Sequence, residues 1–474
     1  MTFPSSDQLA RLQNFGRSIG STAYVYRPTQ VEQLAELFEL AARQGFTVGM
    51  RGAGRSYGDA SLNAGNVVLD LRRMNRVLEW NPETGVIRVE PGVTIQQLWQ
   101  TTLEDGWWPA VVPGTMFPTL GGCLAMNIHG KNNYMAGPIG EHVLEFTALL
   151  PTGEPITCSP QAKADLFHAL ISGMGLLGVF TSITLQLKHI YSGNVWVQAW
   201  ATPSLRRMMA DFEPIKAESD YLVGWVDGTA GGSALGRGQI HRTLYLSPGE
   251  DAVPTQTLKA DYQILPDTFF GLVPKSSLYQ LMRPFMNNWG VALVNTGKYW
   301  SSRLLSHHTK YLQSLVAFNF LLDYVPNWEK AYGSGGLIQY QAFIPKATAA
   351  DAFADILRLT QKRGLPNYLG VLKRHRPDKF LLSHAVDGYS LAMDFRVTHG
   401  NRPRLQNMAD ELTEMVLQAG GRFYFAKDSL ISAAAAARFL GEDTLSRFRQ
   451  FKAQCDPQNL LQTELYRRLL ASQP

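Results

Sequence analysis

Arg51-Gly52-Ala53-Gly54-Arg55-Ser56-Tyr57-Gly58-Asp59 is the stretch on which the reading of the fold turns. Its glycines allow positive φ and let successive backbone N–H groups converge. A concavity of that kind suits a pyrophosphate, which offers many acceptor oxygens, although a glycine-rich run can also be no more than a tight turn. The stretch fails the fingerprint G-x-G-x-x-G, which follows a strand and opens a helix. No helical period follows Asp59, so a Rossmann site is disfavoured.

Upstream, the spacing predicts a helix from Thr29, with Thr29 and Glu32 as a capping box, Val31, Leu34, Phe38 and Ala41 on one face, and Gly45 past its end. Residues 46–50 then read as a strand that runs into the glycine loop. Downstream, 66–71 and 85–90 read as strands, and Thr94 caps a helix through Leu103 with Gly106 beyond it. Residues 165–171 read as a further helix. From Leu166 to Leu187 the chain lacks Asp, Glu, Lys and Arg. Gly173, Gly175 and Gly178 interrupt that run and a period of two follows them, so it reads as a turn and a buried strand rather than a membrane span.

Near Tyr191 the pattern changes. Strands at 221–226, 338–344 and 390–396 alternate with helices at 348–363 and 404–419, as in an antiparallel sheet covered on one side. The expected class is therefore α+β in two domains. The 474 residues exceed one ordinary core. A net charge of +5 is small for this length and gives no argument for nucleic acid. Cys123, Cys158 and Cys455 are too few and too far apart for a disulfide framework or a zinc site, so no metal and a reducing compartment are expected. The N-terminus shows no basic patch followed by an apolar core, so no signal peptide is expected.

Two further clusters carry chemistry. The first is Pro113-Gly114-Thr115 with Thr119-Leu120-Gly121-Gly122 and Asn127-Ile128-His129-Gly130-Lys131-Asn132. Small residues this dense let a flat ligand lie on the backbone, or let a helix pack closely on a strand. The second is Ala426-Lys427-Asp428-Ser429, in which a Lys beside an Asp would ordinarily be a solvated pair.

Taken in order, these clusters resemble the FAD-linked oxidases of the vanillyl-alcohol-oxidase type, and within them a branch that oxidises the 2′-hydroxyl of a polyprenyl-phosphoryl ribose. The matching stretches are GRSYGD (54–59), PGT (113–115), GG (121–122), IHGKN (128–132), GLLGV (175–179), AYG (331–333), QYQ with IP after it (339–345) and AKDS (426–429). IHGKN and AKDS belong to the branch; PGT and GG belong to the wider superfamily. The resemblance implies an FAD-binding part at 1–190, a substrate-binding cap with an antiparallel sheet at 191–420, and a return segment at 421–474 that completes the FAD-binding part. It implies that Arg51, Gly52, Ala53, Gly54, Arg55, Ser56, Tyr57, Gly58 and Asp59 wrap the pyrophosphate. Gly114, Thr119, Gly121, Gly122, Asn127, Ile128 and His129 would lie along the cofactor, with Val179 and Tyr424 completing the pocket. Many relatives tether FAD through a histidine in the first loop; Tyr57 stands there instead, which implies non-covalent FAD.

The implied reaction passes hydride from an alcohol carbon to flavin N5 and gives a keto sugar, the first half of an epimerisation. Lys427 would offset negative charge near N1. Tyr57, His129 and Lys427 are the candidates for the hydroxyl proton, and the residues alone do not rank them; Lys427 would have to be partly neutral to serve as base. In the cap, Gln341 and Lys373 match substrate-facing positions. Lys373-Arg374-His375-Arg376 is a positive cluster that either holds a phosphate or forms a solvated turn before Pro377. Residues 314–324 either flank a polyprenyl tail or form cap core, with core favoured. Ala392 stands where actinobacterial members carry a cysteine, which leaves the chemistry in place and puts the lipid and sugar in doubt. The implied partners are a phosphorylated polyprenyl sugar and a short-chain reductase, with at most peripheral membrane contact and a location in the cytoplasm or at the inner face of the membrane. The competing readings are an aldonolactone or alditol oxidase, a flavin-linked reductase of a lipid double bond, and a non-catalytic module.

Overall fold

The computed structural model describes residues 3–269 and 273–471. The glycine loop follows a strand and no helix follows it, as its sequence predicts. β1 (Leu9–Gln13), β2 (Gly20–Tyr26), β3 (Val48–Arg51) and β4 (Val67–Asp70) form a sheet of order β1-β2-β4-β3, in which β4 runs parallel to both β2 and β3. The helix between β2 and β3, α1 (Val31–Arg43), buries Leu34, Phe38 and Ala41 against this sheet, and Gly45 ends it at φ +72°. Its start is two residues later than expected. Gln33, rather than Glu32, reaches back, and its Oε1 accepts from the N–H of Thr29 at 2.8 Å.

A five-stranded antiparallel sheet follows, of order β5-β6-β9-β7-β8: β5 (Val77–Asn81), β6 (Val86–Val89), β7 (Val143–Leu149), β8 (Pro155–Cys158) and β9 (Val179–Gln186). Between β6 and β7 stand α2 (Ile95–Thr102), closed by the Thr94–Gln97 capping box, and α3 (Leu120–Ala125). α4 (Ala164–Leu170) precedes β9, the strand read from the acid-free run.

The third sheet has eight antiparallel strands in the order β13-β10-β12-β11-β15-β16-β14-β17. They are β10 (Asn194–Thr202), β11 (Tyr221–Val226), β12 (Gly238–Tyr245), β13 (Thr309–Ser314), β14 (Leu337–Pro345), β15 (Leu369–His375), β16 (Gly388–Arg396) and β17 (Arg422–Phe423). α5 (Leu205–Ile215), α7 (Lys346–Lys362) and α8 (Arg402–Gln418) pack on it, while α6 (Asn288–Leu305) lies by β10 and β12. Every residue of β11 is buried, as is all of β14 but its last. A strand so placed reads as a continuous apolar run only if both faces are covered. Here one face meets helices and the other lines a cavity.

The chain then returns. α9 (Ala433–Leu440), α10 (Glu442–Cys455) and α11 (Glu464–Leu469) follow β17, and between the last two the backbone reaches β3: the N–H of Val48 donates to Leu460 O at 2.8 Å, and that of Gln462 to Val48 O at 2.9 Å. Lys452 fastens this turn. Its Nζ donates to Asp456 at 2.6 Å and to the carbonyls of Leu176 and Leu461, all buried. Losing one partner of such a pair leaves an uncompensated buried charge, at a cost of about 3–5 kcal/mol.

Candidate active site

The glycine loop and the tail meet edge to edge. The Tyr57 N–H donates to Ala426 O at 2.9 Å, and a Cβ on Gly58 would fall 1.7 Å from Asp428 O, so only glycine fits there. Arg468 clamps both sides, with Nε and Nη2 on the Asp59 carboxylate at 2.8 Å and Nη1 on Asp428 at 2.9 Å. Asp428 is thus not the partner of Lys427 but of an arginine from α11. A Cβ on Gly52 would lie 2.1 Å from Thr119 Oγ1, which explains why the loop can lie against the start of α3.

These approaches enclose a cavity of about 570 Å³, within the range of ligand sites. Of the residues expected at the cofactor, those from Arg51 to Tyr57 line it, with Gly114, Thr119, Gly121, Gly122, Ile128, His129, Val179 and Tyr424. Gln341, Lys373 and Lys427 line it too, and so does Ala392. Gly58, Asp59 and Asn127 stand behind the wall. Gly58 and Asp59 bind the tail, and the buried Asn127 accepts from the Gly140 N–H at 3.0 Å. Leu321 and Leu322 also line the cavity, while residues 315–319 are buried, so the apolar run at 314–324 is core at its start and cavity wall at its end.

The backbone N–H groups of Ala53, Gly54, Arg55 and Ser56 donate to no group among the described residues. Four unpaired donors on one half-buried loop are free to meet an anion. A Cβ on Gly122 would meet only Thr119 Oγ1, at 3.3 Å, and one on Gly114 only Leu322; both glycines otherwise front open space. The cavity wall therefore includes both unpaired backbone donors and bare glycine backbone, the two kinds of surface that a dinucleotide with a ring system requires.

Lys131, Lys298, Lys373 and Lys427 also line the cavity. The Lys427 ammonium sits 3.9 Å from the Tyr57 ring centroid. Burial holds its pKa down to about 7, Lys373 pushing the same way and Asp394 opposing. Lys373 is lowered to about 8 by burial. Lys131, from the IHGKN stretch, is spent on the Phe318 and Asn319 carbonyls at 2.6 and 2.8 Å. Burial drives the Tyr57 phenol well above its usual range, and its hydroxyl has no partner among the described residues. His129 is held well below its usual range, first by burial and then by nearby cations, and both ring nitrogens are engaged: Nδ1 lies 3.0 Å from His384 Nε2, and Nε2 lies 3.2 Å from Gln341 Nε2. Of Tyr57, His129 and Lys427, then, only Lys427 has a pKa near neutrality and a nitrogen without a hydrogen-bond partner among the described residues.

Three groups were missed in the sequence. Lys298 of α6 and His241 of β12 line the cavity, and nothing in their local pattern marks them. Asp394 is fully buried in β16, accepts from Gln339 Nε2 at 2.5 Å, and is raised to about 7 by burial. A lone acid inside the apolar run Tyr389-Ser390-Leu391-Ala392-Met393-Asp394-Phe395 was the available signal. Arg374 and Arg376 point elsewhere, to Glu213 and Asp387 and to Glu141 respectively, which removes them from the positive cluster.

Residues 22–159 match a family described as FAD binding domain. The decaprenylphosphoryl-beta-D-ribose oxidase of Mycolicibacterium smegmatis is 30% identical over 98% of both chains. The chain belongs to the FAD-linked oxidases of the vanillyl-alcohol-oxidase type. Partial matches within these oxidases include cytokinin dehydrogenase 10 of Oryza sativa subsp. japonica, 28% identical over 49% of this chain and 42% of that one. L-gulonolactone oxidase of Bos taurus is 29% identical over 37% and 40%. As an FAD-linked oxidase, the protein is an oxidoreductase whose cofactor is FAD. Among the described residues no group of His, Cys, Asp and Glu could hold a metal ion.

Proposed function

We propose that this FAD-linked oxidase oxidises the 2′-hydroxyl of a polyprenyl-phosphoryl ribose to a ketone, the first half of an epimerisation in cell-wall arabinan biosynthesis that a short-chain reductase completes. The observation that carries the reading is the juxtaposition, in one cavity, of unpaired backbone N–H donors, bare glycine backbone and the free ammonium groups of Lys427 and Lys373. Likeness to the mycobacterial enzyme along nearly the whole chain supports the substrate.

Residues 51–57, Gly114, Thr119, Gly121, Gly122, Ile128, His129, Val179 and Tyr424 would hold FAD, with Gly58, Asp59 and Asn127 shaping that wall from behind. Tyr57 in place of a histidine supports non-covalent attachment. In this reading residues 1–190 and 421–474 form the FAD-binding part and 191–420 the cap, with β17 of the return segment pairing with the cap sheet. Bound FAD supplies a hydride acceptor whose reduced ring carries negative charge. Lys427, with a pKa near 7, holds or accepts the hydroxyl proton at Nζ. Asp394 keeps a fraction of that ammonium charged, and Tyr57 covers it from solvent. Gln341 orients the sugar and Lys373 meets the phosphate. Leu321 and Leu322 flank the first isoprene units. The enzyme would work in the cytoplasm or at the inner face of the membrane.

The test is anaerobic titration of the yellow protein with phosphoprenyl ribose. Bleaching by the lipid-linked sugar, and not by free ribose or an aldonolactone, supports the reading. Bleaching by a free lactone or alditol alone would move the enzyme to the substrate class of the gulonolactone relative, and no bleaching by any alcohol would leave the lipid-reductase reading. Flavin that stays with acid-precipitated protein would refute the non-covalent attachment.

A further inference from the structure

α6 has one face that the fold uses and one that it does not. Gly290, Val291, Asn295, Tyr299 and Ser302 are buried at helical spacing, and Asn287 caps the helix through the Gly290 N–H at 3.0 Å. The opposite face leaves Trp289, Leu293, Val294, Trp300, Leu304 and Leu305 exposed, with Trp289, Leu304 and Leu305 at 73%, 75% and 77%. Single exposed leucines are unremarkable, but six large apolar side chains on one helix form a patch that water-soluble surfaces rarely carry without a partner.

The charge around the patch narrows the partner. Between Asp267 and Asp323 the sequence has no acidic residue, while it has Lys275, Arg283, Lys298, Arg303 and Lys310. Arg303 and Lys310 are exposed at the C-terminal end of α6 and just beyond it. Lys275 is buried and Lys298 lines the cavity, so the surface charges of this segment are Arg283, Arg303 and Lys310, all cationic. A two-fold contact between copies would set these cations against their own copies, whereas an anionic lipid surface complements the cations and the apolar face at once. No described helix is long and apolar enough to cross a membrane, so α6 would lie along the interface with Trp289 and Trp300 at headgroup depth.

We infer that the outward face of α6 docks this enzyme on an anionic lipid bilayer. The same helix supplies Lys298 to the cavity wall, which Met282 and Leu321 also line. Docking therefore sets that side of the cavity against the bilayer, where a lipid-linked substrate can enter without its tail crossing water. The inference rests on the lipid-substrate reading only for this last advantage, and the binding measurement uses no sugar.

The purified holoenzyme is floated with vesicles of phosphatidylcholine alone and of phosphatidylcholine mixed with phosphatidylglycerol. It is expected to float with the mixed vesicles, less with the neutral ones, and less as salt rises. Trp289→Ser with Leu304→Ser should lower partitioning about tenfold or more, with the flavin spectrum retained. Brominated lipid should quench tryptophan in the unaltered protein, which reads the contact even if the double variant folds poorly. Failure to float with mixed vesicles, or equal flotation of the well-folded variant, overturns the inference. So does a vesicle-independent dimer dissolved by Leu304→Asp, which would assign the face to a second copy. A protein that floats but oxidises no lipid-linked sugar sinks the substrate reading and leaves the docking surface standing.

Discussion

Replacing Lys427 by Met removes the ammonium and keeps an unbranched chain over the Tyr57 ring, where a thioether is also welcome. Free lysine titrates at 10.5 and the folded value is about 7. At about 1.4 kcal/mol per tenfold change in proton affinity, folding bears a burden of about 4 kcal/mol from this one group at neutral pH. The folded pKa lies below the unfolded one, so between about pH 7 and 10.5 the unfolded chain binds more protons. Stability from this group accordingly rises with pH through that window and is lowest below it. Lys427→Met lifts the burden, and Asp394, left without its cation, takes up a proton. The variant should melt above the parent at pH 7, the gain fading toward pH 10, while turnover falls about 10²–10³-fold, the usual loss for one preorganised charge. Thermal melts of parent and variant from pH 6 to about 10, with anaerobic flavin bleaching on the same samples, read both effects. A variant less stable than the parent at pH 7, or one that turns over normally, would refute the reasoning.

Other substitutions separate cofactor, proton and scaffold. Gly122→Val places two methyl groups on the cavity wall with only Thr119 Oγ1 near the new Cβ, so the protein should fold, by circular dichroism, yet purify colourless. Asp394→Asn removes the one group that raises the Lys427 pKa, so the Lys427-dependent limb of kcat/KM should move to lower pH, by about one unit, in a pH–rate profile. Arg468→Met leaves Asp59 and Asp428 without their clamp and should cost about 3 kcal/mol in urea melts. Arg376→Ala, whose partner Glu141 is a third exposed, should cost less than about 1 kcal/mol in the same assay.

The glycine loop, the Thr94 cap and the helix–strand alternation after residue 190 were legible because each rests on local chemistry: positive φ, a capping box, periods of two and 3.6. What escaped was placement by burial. In the eight-stranded sheet β10, β12, β13, β15 and β17 are not legible in the sequence; β10 and β15 carry Trp, Gln, Lys and Arg, which neighbouring elements and the cavity accommodate and no local period announces. The start of α1 was misplaced because Glu32 and Gln33 are equally plausible caps until the backbone chooses. In the site, Lys427 and His129 stood inside recognisable motifs. Asp394 did not, because its meaning depends on Lys427, over thirty residues away in the chain. Asn127, Gly58 and Asp59 show the reverse: they belong to the same motifs as the lining residues, yet they stand behind the cavity wall rather than on its inner surface.

The carbonyl of Ala426 that receives the Tyr57 N–H, and the arginine that grips Asp59 from α11, give the protein an order of birth. A ribosome has translated the glycine loop hundreds of residues before it makes the peptide that braces it, so a nascent chain must keep that concavity unfinished until synthesis is nearly over. Even a short deletion at the carboxyl end that removed α11 would therefore act as a defect of the amino-terminal half, and stop codons there should give apoprotein for the quality-control proteases to clear instead of a trimmed enzyme.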